Sequence, residues 1–260
     1  MAAVEYTYCI VPTTFDLGNG VLGIDEQPIR LVHAGQVAAV VSTLDSTLYN
    51  PVNVEQCVAD LEWLKPRAIA HDHVVTWSSD RGPTLPMPMW SLFSNESTLV
   101  ATLMERQEAL RARLEKVTDA REYTVRLFVH SNMLQSALSQ LSSHFAELEQ
   151  SVTTASPGQA YLLQRKIEHE RKVELRNTVR QIARETYETL AQYADEAVHD
   201  PVAQSDREGQ AVLNASFLIS NSQYEQFRRS ITDLINRYQP SGFQFEFTGP
   251  WPPYHFVHGN

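Results

Sequence analysis

Apolar and polar positions along the chain alternate with two different periods, and the switches between them mark the elements. Val4 to Val11 is a β-branched and aromatic run that stops at Pro12, the pattern of a strand. A glycine-rich loop from Asp16 to Gly23 follows. Two more strand-like runs fill Ile29 to Thr43, joined at Ala34-Gly35 as in a hairpin. Val54, Cys57, Val58, Leu61 and Leu64 then recur at spacings of three and four, which predicts a helix over Val52 to Leu64. Pro66 is expected to break or kink it before a second helical piece, Ala68 to Trp77. The prolines of LPMPMWSLF, Leu85 to Phe93, leave room only for an edge strand. Ser94 or Asn95 is placed to cap a helix that runs to about Lys116.

The second half starts with an alternating strand, Tyr123 to Val129, and a helix from Asn132 to Gln150. SVTTASPG, Ser151 to Gly158, has the composition of a linker. A long helix is expected over Gln159 to Asp195, then a polar loop from Pro201 to Gly209. Ala211 to Ser220 reads as a buried strand, Asn221 to Tyr238 as an amphipathic helix, and FQFEF, Phe243 to Phe247, as a last strand. The succession predicts an α+β protein of two domains, residues 1–120 and 121–260. Each is a mainly antiparallel sheet with helices packed on it. The second carries the long helix and the tail, and its order is ferredoxin-like in part.

Composition narrows the class. Of 260 residues 43% are hydrophobic and 20% charged, enough for a sizeable core. The net charge of −10 speaks against a general nucleic-acid binder, which needs a basic surface. Residues 1–120 hold 8 basic and 15 acidic side chains, so the first half is the more acidic. No apolar run approaches the roughly 18–20 residues that span a bilayer, so no lipid membrane is expected as a partner. Cys9 and Cys57 read as small core residues, reduced in a cytoplasmic protein.

Chemistry is sparse. There is no phosphate-binding glycine loop and no nucleophile elbow. His71-Asp72-His73 resembles a metal cluster, but on a helix residues two apart point in nearly opposite directions. No catalytic, cofactor or metal residue is therefore predicted. Lys172, Arg176, Arg180 and Arg184 repeat every four residues as a basic stripe, either a solvated face or a docking stripe for an acidic partner. The tail carries Gly249, Pro250, Trp251, Pro252, Pro253 and Tyr254 behind the alternating Phe243, Phe245 and Phe247. It is expected to turn at Gly249-Pro250 and pack back as a stiff aromatic plug, with Trp251 buried. The alternative is a small-molecule enzyme or sensor whose site lies under that tail and uses His71, His73 or His255.

The stretches with most character resemble one family. FEFTGPWPPYHFV, Phe245 to Val257, resembles the C-terminal signature of the gas vesicle protein F/L family. Tyr8 to Pro12, Ile29 to Ser42, Ala70 to Val75, Gly158 to Arg171 and Val212 to Ile219 are similar to its other segments in order. The chain departs from the pattern at Leu85 to Phe93, where Pro88 and Trp90 stand in place of an arginine and glycine. The resemblance implies a non-enzymatic accessory protein of gas vesicles, the protein-walled buoyancy organelles of bacteria and archaea. It implies a minor vesicle component, cytoplasmic and vesicle-associated. Such a protein would bind the hydrophobic shell protein and other accessory proteins, helping assembly or preventing aggregation. It implies no cofactor. Contacts are then expected at the basic stripe and at Trp90 and Phe93 beside the proline-blocked edge.

Overall fold

The computed structural model describes residues 3–18, 20–202 and 209–257. The polar loop expected at 201–209 lies mostly outside them. The chain forms two compact units, one of residues 1–122 together with 250–260, the other of residues 123–249. The tail therefore belongs to the first unit, where the sequence pattern groups it with the second.

The sheet of the first unit is built on β1 (Ala3–Pro12). The hairpin of β2 (Arg30–Ala34) and β3 (Val37–Asp45) pairs with it antiparallel, giving the order β2-β3-β1. On the other side of β1 the proline-rich segment contributes only β4 (Leu85–Pro86) and β5 (Leu92–Phe93), as an edge deprived of donors must. Val37 to Val41 are all fully buried although successive side chains point to opposite faces, so the sheet is covered on both sides. Helix α1 (Pro51–Cys57) and helix α2 (Leu61–Ser79) follow. The break between them falls at Asp60, whose carboxylate accepts from the Glu62 N–H, and not at Pro66. Pro66 sits inside α2, where the carbonyl it deprives belongs to exposed Glu62 and can turn to water. The helix expected up to Lys116 is two: α3 (Glu96–Glu105), capped by Asn95, and α4 (Gln107–Lys116), separated at Arg106.

The second unit has a four-stranded sheet in the order β7-β8-β6-β9. Its strands are β6 (Ala120–Val129), β7 (Glu196–His199), β8 (Gln210–Ser220) and β9 (Phe243–Trp251). Tyr123, Val125, Leu127 and Val129 alternate on one face of β6, and Leu213, Ala215, Phe217 and Ile219 on β8. They bury against Ile182 and Leu190 of α7 (Pro157–Ala191) and Phe227, Ile231 and Leu234 of α8 (Tyr224–Tyr238). The single helix expected before the long one is a pair, α5 (Ser131–Leu141) and α6 (Ser143–Thr153), because the Ser142 hydroxyl caps the new start. SVTTASPG is no linker between domains. Its first three residues finish α6, and Ser156 opens α7, giving its N–H (3.3 Å) and hydroxyl (2.8 Å) to the Gln159 side chain.

After α8 the chain reverses at Gly242, whose φ of 92° is left-handed. A Cβ there would lie 2.7 Å from Met133 Cβ and 3.1 Å from the His130 carbonyl oxygen. Gly242→Ala is expected to destabilise the second unit by at least about 1 kcal/mol, since both backbone and contact resist it. Urea unfolding followed by far-UV circular dichroism checks this; an unchanged midpoint contradicts it.

Candidate functional site

Two places can carry function, one in each unit. In the first unit, β1 sends Tyr6 and Tyr8 into the core opposite α2. The Tyr6 hydroxyl lies 2.7 Å from His71 Nδ1. The Tyr6 proton has no other acceptor among the described hydrogen bonds, so the tyrosine donates and Nδ1 accepts. The Trp90 N–H points at the Tyr6 oxygen from 3.4 Å. Burial holds the His71 imidazole down at about 4, neutral at physiological pH, with the neighbouring Asp72 charge opposing. Burial likewise pushes the Tyr6 hydroxyl well up. Tyr8 donates to Ser42 Oγ (3.0 Å) and accepts from the Ile24 N–H (2.8 Å). These groups satisfy one another inside a packed core. His73 is exposed, so His71 and His73 do not converge, as their helical spacing requires. Cys9 is fully buried and its thiol is pushed up to about 12 by burial, which suits a core residue and not a nucleophile.

The tail closes this core. β9 ends at Trp251, and Tyr254 to Phe256 make one 3₁₀ turn. Pro252, Pro253 and Phe256 are buried. Three polar links from three elements fasten the turn. The Tyr254 hydroxyl donates to Asp72 Oδ1 (2.9 Å), His255 meets Glu122 through its backbone N–H (3.0 Å) and Nδ1 (2.6 Å), and Arg113 donates to the Phe256 carbonyl (3.0 Å). Trp251 is 47% exposed, which corrects the expectation that it is the buried anchor. β9 runs on through Gly249 and Pro250, so the turn expected there does not occur; the chain turns at Tyr254 to Phe256, and Phe256 takes the buried place. His255 is bound to Glu122, so among the described residues of the tail this histidine is committed to holding the turn. Trp90 is half-buried in a stack with Trp63 and Tyr49, centroids 5.1 and 6.3 Å away, and Phe93 is half-buried on β5.

The second place is the outer face of α7. Lys172, Arg176, Arg180 and Arg184 are all exposed. Arg184 leans to Glu188 at 3.9 Å, whereas Lys172, Arg176 and Arg180 have no ion pair among the described residues. Arg176 and Arg180 flank a cavity of about 500 Å³ floored by Leu134, Leu175, Val179 and Val212. Arg165 and His169, which the four-residue count passes over, line the adjoining cavity with Lys172.

Comparison with known proteins decides the family. The family described as gas vesicle synthesis protein GvpL/GvpF matches residues 4–258. The chain belongs to that family. Gas vesicle protein L of Streptomyces sp. (strain CB03234) is 26% identical over 260 residues, covering 98% of this chain and 92% of that protein. Gas vesicle protein L1 of Halobacterium salinarum is 26% identical over 266 residues, covering 97% and 90%. The GvpF crystal structure from Anabaena sp. PCC7120 superposes with a TM-score of 0.68 at 18% identity, over 99% of this chain and 97% of that one. GvpF from Microcystis aeruginosa gives 0.67 at 14% identity, over 99% and 100%. The α+β architecture is thus that of GvpF, and GvpL/GvpF membership ties the chain to gas vesicle formation. Among the described residues no group of three or more His, Cys, Asp and Glu is arranged to hold a metal ion, and no helix is long and apolar enough to cross a membrane.

Proposed function

We propose that this GvpL/GvpF-family chain is a non-enzymatic accessory protein that binds the hydrophobic shell protein of the gas vesicle and assists its assembly or keeps it from aggregating. Other accessory proteins are further partners, and the chain works in the cytoplasm, attached to vesicles. One observation carries the reading. The outer face of α7 presents three cations with no ion pair among the described residues, beside an apolar trough, on a helix that also exposes Tyr161, Leu162 and Val173. Cations and apolar surface left without partners within a unit suit a contact with another protein. Phe93 and the rim of Trp90 are proposed as a lesser contact. Trp90 is already committed to its own stack, so Phe93 is the freer of the two.

Co-expression of the tagged chain with the shell protein tests this. The chain is expected to retain shell protein on affinity resin and to raise its soluble fraction. Retention no greater than that by an unrelated acidic tagged protein overturns the reading.

A further inference from the structure

The trough on α7 is longer than the sequence stripe. The two cavities, about 500 and 670 Å³, share Gln135 and Leu175 and so adjoin along α7, and together they are read as one trough. Arg165, His169, Lys172, Arg176 and Arg180 line its α7 side. Their spacings are four, three, four and four, which holds them on one face for about 22 Å, four helical turns. The remaining cations of this stretch are neutralised nearby. Lys166 pairs with Glu170 (3.6 Å), Arg184 with Glu188 (3.9 Å), and Arg171 with Glu149 (3.7 Å) while lying over the Phe145 ring. Among the described lining residues Glu168 is the one acid. Arg165 rests on Tyr161, and Lys172, Arg176 and Arg180 have no ion pair among the described residues.

We infer that this trough takes an acidic amphipathic helix of a partner protein, laid along α7. The inference rests on the reading of α7 as a partner-binding element and names the chemistry of what it binds. Charge complementarity selects the sign, because a row of basic residues with one acid beside it among the described residues is stabilised by carboxylates. The recessed floor of Leu134, Leu175 and Val179 selects apolar side chains between them and is out of reach of a flat lipid surface. A phosphate backbone gains nothing from such a floor, and the trough offers no aromatic platform for bases. The pitch selects a helix. The basic side chains, His169 included, recur close to once per turn, about 5.4 Å, and a second helix presents acids at the same interval. Same-side residues of an extended chain recur at about 6.6 Å and fall out of register within a few repeats.

A labelled 16-residue helical peptide with glutamates one turn apart and leucines between them is the probe, and its lysine-for-glutamate twin is the control. Fluorescence anisotropy with the full chain is expected to show saturable binding of the acidic peptide alone, weakening as salt rises. Arg176→Glu with Arg180→Glu is expected to weaken binding by about tenfold or more, and Arg184→Glu, off the trough, by less than about twofold. Circular dichroism confirms that each variant is folded, and Arg176→Gln with Arg180→Gln substitutes if charge reversal unfolds the chain. Four results overturn the inference: no saturable binding, equal binding of the lysine twin, no loss in the trough variants, or a loss in Arg184→Glu as large as theirs. Displacement of the peptide by single-stranded RNA or anionic vesicles at lower concentration than by unlabelled peptide also overturns it. If the peptide fails while shell protein still co-purifies, the trough is wrong and the function stands. If the peptide binds while shell protein does not co-purify, the trough stands and the shell-binding function is wrong.

Discussion

Phe256→Ala lowers the stability of the first unit by about 3–5 kcal/mol, and Trp251→Ala by roughly 1 kcal/mol or less. The larger loss belongs to the smaller aromatic because of where each ring sits. Phe256 is 1% exposed and Trp251 is 47% exposed. Removing a fully buried phenyl ring forfeits its transfer energy and leaves a cavity that the surrounding core fills incompletely. Phe256 is also held from both ends of the 3₁₀ turn, through Arg113 on its carbonyl and through Tyr254 and His255 before it. The stiff Pro252-Pro253 pair lowers the entropy lost when this turn docks. All four tryptophans lie in the first unit, so intrinsic fluorescence during urea unfolding reads that unit. Equal losses from the two substitutions would return Trp251 to the role of anchor.

The tail shows which parts of the molecule are legible from the chain. Its alternating phenylalanines and its packing back onto a core follow from local rules about period and backbone, whereas the turn expected at Gly249-Pro250 falls after Trp251. Which core it meets depends on contacts with residues more than 130 positions away, such as Glu122 from His255, and no local pattern carries that. The same division runs through the fold. Long periodic elements are readable, whereas the breaks at Arg106 and Ser142 are not, because the apolar period continues across each. β7 is four residues long and half-buried, too short for alternation to stand out. On α7 a count of four finds three of the trough's cations and then drifts off it. Each step of four turns about 40° past a full turn, so Arg184 leaves the face that Arg165 and His169 share. The cue available in the sequence is a run of Arg, Lys and His at spacings of four, three, four and four starting at Arg165.

His71 makes the stability of the first unit depend on pH in a way that can be isolated. The imidazole is 6% exposed, accepts the Tyr6 proton at Nδ1, and is held by burial near 4 against an ordinary 6.5. The folded value lies below the unfolded one, so the unfolded chain binds the proton first. The stabilisation is complete above about pH 6.5 and is lost progressively as pH falls towards 4, where the folded protein also takes the proton. At about 1.4 kcal/mol per pH unit the interval amounts to roughly 3 kcal/mol. Carboxylates add their own slope at the acid end, so the informative quantity is the difference between wild type and His71→Gln. Glutamine keeps a polar group that can face Tyr6 and cannot titrate. The variant is expected to be less stable at pH 7.5, because glutamine fills the place of the ring less well, and to lose less on acidification. The two stability curves should therefore converge by about pH 4.5. Parallel curves between pH 7 and 4.5 would mean that His71 takes up its proton at the same pH in the folded and the unfolded chain. In that case burial does not hold the ring neutral, and the Tyr6 hydroxyl would cease to donate to it below about pH 6.5.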